Sequence, residues 1–358
     1  AYYDARKEPA VNDRTNIRTY GLINNFTPFW TYNTSNNWLA DNKGSKWVWT
    51  SENTLYDRKG NGVESRDPLG RYTSGQFGYN QTVPIAVSQN SKYRESGFDG
   101  FEDYDYKLDS YIGLDSCAKI ILKHFDWTKY KYLRSAEFSH TGLYSLKVPQ
   151  SEQAFVKFKV SDTSEDNRSV WIRDNRISDA YPKGLITNED SWLPVYSPTY
   201  KDSIVVSAWV REQDLCKTGG YEQAGIVVSF ENASFATVGT PVPLKASGPV
   251  IEGWQRIEGV VMVPAGSTGV NSMRVSLEGG SSQAVYYDDL RIHPFKANMK
   301  SFVYHPVNLR LLSELDENNY ASFYEYDDEG TLIRVKKETE RGVKTIKETR
   351  SALIKQEN

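Results

Sequence analysis

Two adjacent carboxylates, Asp288 and Asp289, sit inside the aromatic and aliphatic run Ala284-Val285-Tyr286-Tyr287-Asp288-Asp289-Leu290-Arg291-Ile292. Read as one buried strand, the run alternates: Val285, Tyr287 and Asp289 on one face, Tyr286, Asp288, Leu290 and Ile292 on the other. Carboxylates in such a strand are costly to desolvate unless a cation or hydrogen-bond donors meet at least one of them. They therefore ask for a partner. The best one is Phe98-Asp99-Gly100-Phe101-Glu102-Asp103-Tyr104, another short aromatic run with a carboxylate at its centre. The two runs read as neighbouring strands that open and close one β-domain. Without a cation, the same carboxylates would accept backbone and tyrosine hydrogen bonds or lie at a solvated rim.

The elements that must hold these groups are strands. Across 358 residues there are 24 Tyr, 14 Phe and 9 Trp against 3 Met, a balance that suits pleated, half-buried surfaces. Eight short strands fall between about Ser96 and Pro294: Phe98 to Tyr104, Leu143 to Val148, Ala154 to Val160, Ser203 to Arg211, Gly225 to Glu231, Trp254 to Val263, Met273 to Glu278 and Ala284 to Ile292. With no convincing helix among them they predict a two-sheet sandwich. In Ala154 to Val160 the lysines alternate with Val156, Phe158 and Val160, so one face is wet, whereas Ser203 to Arg211 is apolar on both faces, as an inner strand would be.

On either side of this region the grammar changes to hairpins. Tyr56-Asp57 precedes a glycine turn at Gly60, and Tyr326-Asp327 precedes Gly330 and Leu332. Between Leu311 and Gly330 there are seven acidic residues and no basic ones, whereas six basic and three acidic residues follow between Lys336 and Arg350. Strands of opposite sign should attract across the turn, which tunes register more than stability. Interleaved Glu338, Glu340 and Glu348 make the basic stretch read as a solvated face. The expected division is a hairpin region over 1–95, a sandwich over 96–295 and a second hairpin region over 296–358.

Several function classes are excluded or disfavoured. A net charge of -3 and a pI of about 6.0 provide no overall basic field for nucleic acid or an anionic membrane. No run of 18 apolar residues offers a membrane span. His124, His140, His293 and His305 lack zinc-like spacing, and no nucleophile elbow, phosphate loop or dinucleotide fingerprint appears. The chain reads as non-catalytic. Cys117 and Cys216 permit one disulfide but no disulfide framework. The start at Ala1, with no Met or leader, is expected of a mature or excised piece of something longer.

The ordered set Phe98-Asp99-Gly100-Phe101-Glu102-Asp103, Phe138 to Val148 with its Gly142-Leu143-Tyr144-Ser145-Leu146 core, Val206-Ser207-Ala208-Trp209-Val210-Arg211, Gly253-Trp254-Gln255-Arg256-Ile257 and Tyr286-Tyr287-Asp288-Asp289-Leu290 resembles jelly-roll carbohydrate-binding modules with a galactose-binding-like fold. The resemblance implies a structural calcium tying the first strand to the last, with Glu102 and Asp288 or Asp289 as ligands. Calcium takes six to eight oxygens, so a Glu and an Asp on adjacent strands beside the Ser139 to Gly142 turn suit its chemistry. For sugar stacking, the candidates are Trp171, Tyr181, Trp192 and Tyr196 in the long polar segment from Ser161 to Asp202, where they form an exposed platform or cover the sandwich edge. Trp209 and Trp254 fall inside strand patterns and read as core.

The Tyr-Asp hairpins resemble tyrosine-aspartate (YD, Rhs-type) repeats, with Tyr304-His305 as a degenerate copy. Taken whole, the chain resembles the C-terminal portion of very large cell-surface proteins of the Bacteroidetes, associated with type 9 secretion and in some cases gliding motility. That resemblance implies export across the outer membrane, with the type 9 translocon and associated outer-membrane proteins as partners, and a role in adhesion, gliding or scaffolding. A glycan-binding module of a larger surface protein and a fragment of an Rhs-type shell are the alternatives.

Overall fold

The computed structural model describes residues 2–3, 28–35, 37–40, 47–57, 59–105, 123–162, 193–214 and 220–349. The architecture is all-β: a jelly-roll sandwich inserted into a sheet of stacked hairpins, with only short 3-10 turns among the described residues. Near the amino terminus β1 (Tyr2–Tyr3) pairs with β4 (Trp47–Val48), and β2 (Trp30–Tyr32) with β3 (Trp38–Ala40). The chain then forms β5 (Glu52–Tyr56), β6 (Gly62–Arg66), β7 (Tyr72–Gly78) and β8 (Val83–Gln89), each antiparallel to the next.

The sandwich follows. Its first sheet contains β9 (Gly97–Asp99), β10 (Arg134–Ser135), β11 (Ser145–Val148), β13 (Ser203–Glu212), β16 (Trp254–Met262) and β18 (Val285–Pro294). The second holds β12 (Gln153–Lys159), β14 (Gly225–Asn232) and β17 (Val270–Glu278). The two are joined by β15 (Thr237–Ile251), whose first half pairs with β14 and whose second half pairs with β16. Punctuated by Gly239, Pro241, Pro243 and Gly248, β15 has no alternating pattern, which is why the sequence signals only eight strands here. Between the sheets, Val156, Phe158, Val206, Ile226, Val228, Met273, Val275, Leu277 and Val285 form one buried core.

After the sandwich, β19 (Asn298–Tyr304) pairs with β8, and β20 (Leu311–Leu315), β21 (Ala321–Tyr326), β22 (Leu332–Thr339) and β23 (Gly342–Glu348) extend the same sheet. The hairpin sheet is therefore continuous across the insertion, in the order β23-β22-β21-β20-β19-β8-β7-β6-β5.

One local device builds these hairpins. Asp57 Oδ1 accepts from the backbone N–H groups of Lys59 and Asn61, Asp67 Oδ1 from Leu69 and Arg71, and Asp316 Oδ1 from Asn318 and Tyr320. Each side chain thus mimics the next backbone carbonyl and sets the turn. His305 does the same with its ring: Nδ1 accepts from Val307 N (3.1 Å) and Asn308 N (3.4 Å). The sequence departs from Tyr-Asp there while the turn is preserved. The acidic and basic stretches meet across β21 and β22 as their patterning predicts, through Glu325 with Lys336, and Arg334 adds pairs with Glu325 (2.8 Å) and with Glu348 of β23 (3.4 Å).

The hairpin sheet covers the outer face of the first sandwich sheet. Trp209, Ile251, Trp254 and Tyr286 are buried there against Tyr320 and Val343. Trp209 and Trp254 are core residues of this second interface, not of the sandwich interior. Arg291, 1% exposed, reaches from β18 across the same interface: its guanidinium donates to Ser301 Oγ, Leu315 O (3.1 Å) and Asp316 O (2.7 Å).

Candidate functional site

The paired aspartates lie where the sandwich meets the hairpin sheet. β9 pairs with β18 through Asp99 opposite Leu290 and Phe98 opposite Arg291, so the two aromatic runs are neighbours as their composition predicts. The simple alternation within β18 fails at one residue. Asp289 has φ +50, and the register against β13 slips between Ser207 and Trp209. This bulge returns Leu290 and Ile292 to the sandwich core with Val285 and Tyr287, where unbroken alternation would have placed them opposite those residues. Both carboxylates thereby turn toward the Ser139 to Gly142 loop.

That loop supplies donors. Asp288 Oδ2 accepts from His140 N (2.8 Å) and Thr141 N (3.2 Å), and its Oδ1 from Asp289 N (2.8 Å). Asp289 Oδ1 accepts from Thr141 Oγ1 (2.8 Å), and Oδ2 lies 2.7 Å from His140 Nδ1. Glu102 Oε1 accepts from Leu143 N (2.6 Å) and Tyr144 N (2.7 Å). Gly142 is required at this corner: its φ is +62, and a Cβ would overlap Glu102 Oε1.

His140 is the residue the sequence did not single out. Its ring stacks on Trp209 at 4.3 Å and 16°, and its Nε2 lies 3.0 Å from Glu338 Oε1, whose other oxygen accepts from Ala321 N. One imidazole thus joins the closing strand of the sandwich to β22 of the hairpin sheet. Burial disfavours its charge, but hydrogen bonds to Asp289 and Glu338 prevail and hold its pKa up to about 9. Glu338, only 2% exposed, is not part of a solvated face, because β22 lays it against the His140 ring. No periodic signal separates Glu338 from Glu340 or Glu348. His140 itself had one unused clue, its place in the loop facing the closing carboxylates.

The cluster is rich in buried negative charge. Burial raises Asp288 well above the usual carboxylate range, and Asp289 and Glu102 add to the rise. Burial likewise pushes Glu102 up to about 8 against its two backbone hydrogen bonds. Glu102 Oε2 is buried and has no hydrogen-bond partner. A carboxylate oxygen of this kind is one of the donors that calcium coordinates. Both oxygens of Asp288 and both of Asp289 already take part in hydrogen bonds, so neither aspartate is set apart from the other as a ligand. Among the described residues, no three carboxylate, imidazole or thiol groups converge as a ready cage.

Sugar-stacking candidates are placed differently. Trp171, Tyr181 and Trp192 lie outside the described residues, as do Cys117 and Cys216. Tyr196 is fully buried, its ring 4.7 Å from Phe158 and 5.3 Å from Phe125, so it packs the sandwich core and offers no surface to a ligand. A cleft of about 560 Å³ opens elsewhere, at the β10 edge. Tyr132, 74% exposed, stands on its rim, and its walls carry Ser135, Gln150, Gln213, Asp214, Ser282 and Gln283. Hydrogen bonds fix two of the amides: Gln150 Nε2 donates to Ser281 O (2.9 Å), while Gln283 accepts from Asp214 N (2.8 Å) and donates to Glu212 Oε2 (2.7 Å). The sequence gives no periodic sign of this cleft, because its lining comes from four separate segments.

No protein-family model and no curated protein matches the chain. Among solved structures, it is similar to the CBM22-1 xylan-binding domain of Paenibacillus barcinonensis Xyn10C, with 13% identity over 46% of this chain and 80% of that one at a TM-score of 0.24. It is also similar to TmCBM61, solved with β-1,4-galactotriose, with 12% identity over 44% of this chain and 74% of that one at a TM-score of 0.22. A third likeness is to the enzymatically active domain of tailspike protein 4 of bacteriophage CBA120, with 10% identity over 46% of this chain and 16% of that one at a TM-score of 0.24. At these TM-scores the similarities are loose.

Proposed function

We propose that this chain is a non-catalytic glycan-binding surface protein, in which the jelly roll captures an oligosaccharide and the hairpin sheet carries it. The observation that supports this reading most directly is the edge cleft. Its volume of about 560 Å³ falls within the range of small-molecule sites, and it combines an exposed aromatic ring at Tyr132 with amides and hydroxyls. A pyranose has an apolar face and a rim of hydroxyls, so it needs those two kinds of surface together. A glycan array with the full chain tests it: Tyr132→Ala and Gln213→Ala should each weaken the best ligand at least about tenfold, or about 1.4 kcal/mol. An array with no binder, or binding indifferent to both changes, refutes the cleft.

The clasp is the structural counterpart. Glu102 with Asp288 or Asp289 would hold a calcium ion that offsets the negative charge buried there. Chelation should then lower the melting temperature, and added calcium restore it; a temperature unmoved by either excludes a tightly held ion. Adhesion at the cell surface and export by the type 9 system rest on the resemblance of the sequence. Protease shaving of cells with and without that translocon tests both, and equal exposure in the two strains refutes the route.

A further inference from the structure

The second sandwich sheet has an outer face that the hairpin layer does not cover. Its composition follows from register. Ala154, Val156 and Phe158 of β12 enter the core, Gln153, Lys157 and Lys159 are exposed on the other face, and Phe155 between them is half-buried, with its ring edge-on to Tyr130. Phe155 lies opposite Ser276, which lies opposite Val227; Lys157 lies opposite Arg274, and Arg274 opposite Ser229. The next row sets Lys159, Ser272 and Glu231 side by side, and the row on the other flank sets Gln153, Glu278, Gly225 and Lys245. With Lys129 reaching in from the 128–133 turn, five cations share this face with two carboxylates. The chain as a whole carries -3, so this face opposes the molecule's overall sign.

Three of those cations gather around one ring. The Arg274 guanidinium carbon lies 3.8 Å from the Phe155 centroid, Lys129 Nζ 5.2 Å and Lys157 Nζ 5.9 Å. Arg274 is further fixed by Ser276 Oγ (3.1 Å) and Gln153 Oε1 (2.8 Å), with Glu231 at the 4.0 Å limit of an ion pair. Lys157 is paired with Glu231 at 2.6 Å, and 5.0 Å away lies the ring of Phe235, which is 72% exposed. A stacked, hydrogen-bonded guanidinium has already lost much of its rotamer freedom, so it meets a carboxylate at small further entropic cost. Among the described residues, Glu231 is the one carboxylate paired with two of the three, which leaves an excess of positive charge around the half-buried ring. Four strands about 4.8 Å apart make the face about 14 Å wide, room for several residues of an extended polymer.

We infer that this face is a second binding site, separate from the edge cleft, for an anionic polysaccharide whose uronate carboxylates are held by Arg274, Lys157 and Lys129 around Phe155. A polyuronate suits it better than an isolated anion, because the face pairs charge with apolar ring surface and runs across several strands. The occupancy of the edge cleft does not enter.

Calorimetric titration of the full chain with polygalacturonate and with its methyl-esterified form tests the inference. The acid polymer should bind and the ester should not, and raising salt from about 0.05 M to about 0.5 M should weaken binding at least about tenfold as exposed charges are screened. Lys157→Gln and Lys129→Gln, both at partly or fully exposed positions that leave the core intact, should each weaken binding at least about threefold, and Arg274→Gln about tenfold. Tyr132→Ala should leave it unchanged, which separates this site from the cleft. Failure of the acid polymer to bind, equal binding of the ester, indifference to all three charge variants, or equally tight binding of duplex DNA or anionic lipid vesicles would each overturn the assignment.

Discussion

The His140 clasp predicts a loss of stability on the alkaline side of neutrality. His140 is buried between Asp289 and Glu338 and its pKa is held near 9, against an ordinary value of 6.5. A raised folded-state pKa means that the stabilisation is fully present below about pH 6.5 and is lost as pH rises through about 9. The gap corresponds to about 3 kcal/mol at about 1.4 kcal/mol per pH unit. Glu102, raised to about 8 by burial, acts in the same direction, its contribution fading from about pH 4.5 through 8. Measured in chelator, so that no bound ion holds Glu102 ionised, the melting temperature should fall between pH 6.5 and 9.5 by roughly 6 to 12 °C from His140 alone, at about 2 to 4 °C per kcal/mol, and further by the part owed to Glu102. Removing one member, by Glu338→Ala, leaves His140 Nε2 and Ala321 N without an acceptor and should cost about 3 to 5 kcal/mol at pH 7. His140→Gln should flatten the alkaline slope to the part owed to Glu102. A wild-type melting temperature that is level or rising over this range, or a His140→Gln variant with the full wild-type slope, would refute the reasoning.

Three further outcomes follow from particular contacts. Gly142→Ala places a Cβ against Glu102 Oε1 at φ +62 and should destabilise by at least about 2 kcal/mol in denaturant unfolding; a neutral result would mean the corner can relax. Arg291→Met removes the donor to Leu315 O and Asp316 O inside the interface between sandwich and hairpins, and should cost about 2 to 4 kcal/mol, with proteolysis near the hairpin sheet rising first. His305→Asp should keep the 305–309 turn and His305→Ala should lose about 1 kcal/mol, so equal stability of the two variants would show that the ring acceptor is idle.

Much of the architecture lies in local pattern. Alternation in Ala154 to Val160 marked a strand with one wet face, two-sided apolarity marked β13 as an inner strand, and Tyr-Asp-Gly spacing marked the hairpins at Asp57 and Asp327. β15 escaped, because glycines and prolines that normally interrupt a strand here let it bend from one sheet into the other. Glu102, Asp288 and Asp289 were legible as partners because uncompensated carboxylates in an apolar strand demand donors, whichever fold supplies them.

What the sequence by itself determined is the set of short-range rules: which segments extend, where they turn, and which charges need company. Tertiary structure alone decided which company they keep. A single left-handed residue, Asp289, redirects its strand; Glu338, indistinguishable in pattern from its solvated neighbours, becomes the counter-charge of His140; and Phe155, Lys157 and Arg274 become one platform only when β12 and β17 pair. Those outcomes depend on contacts between residues more than a hundred positions apart, set by how one sheet lies against another, and no periodicity along the chain encodes them.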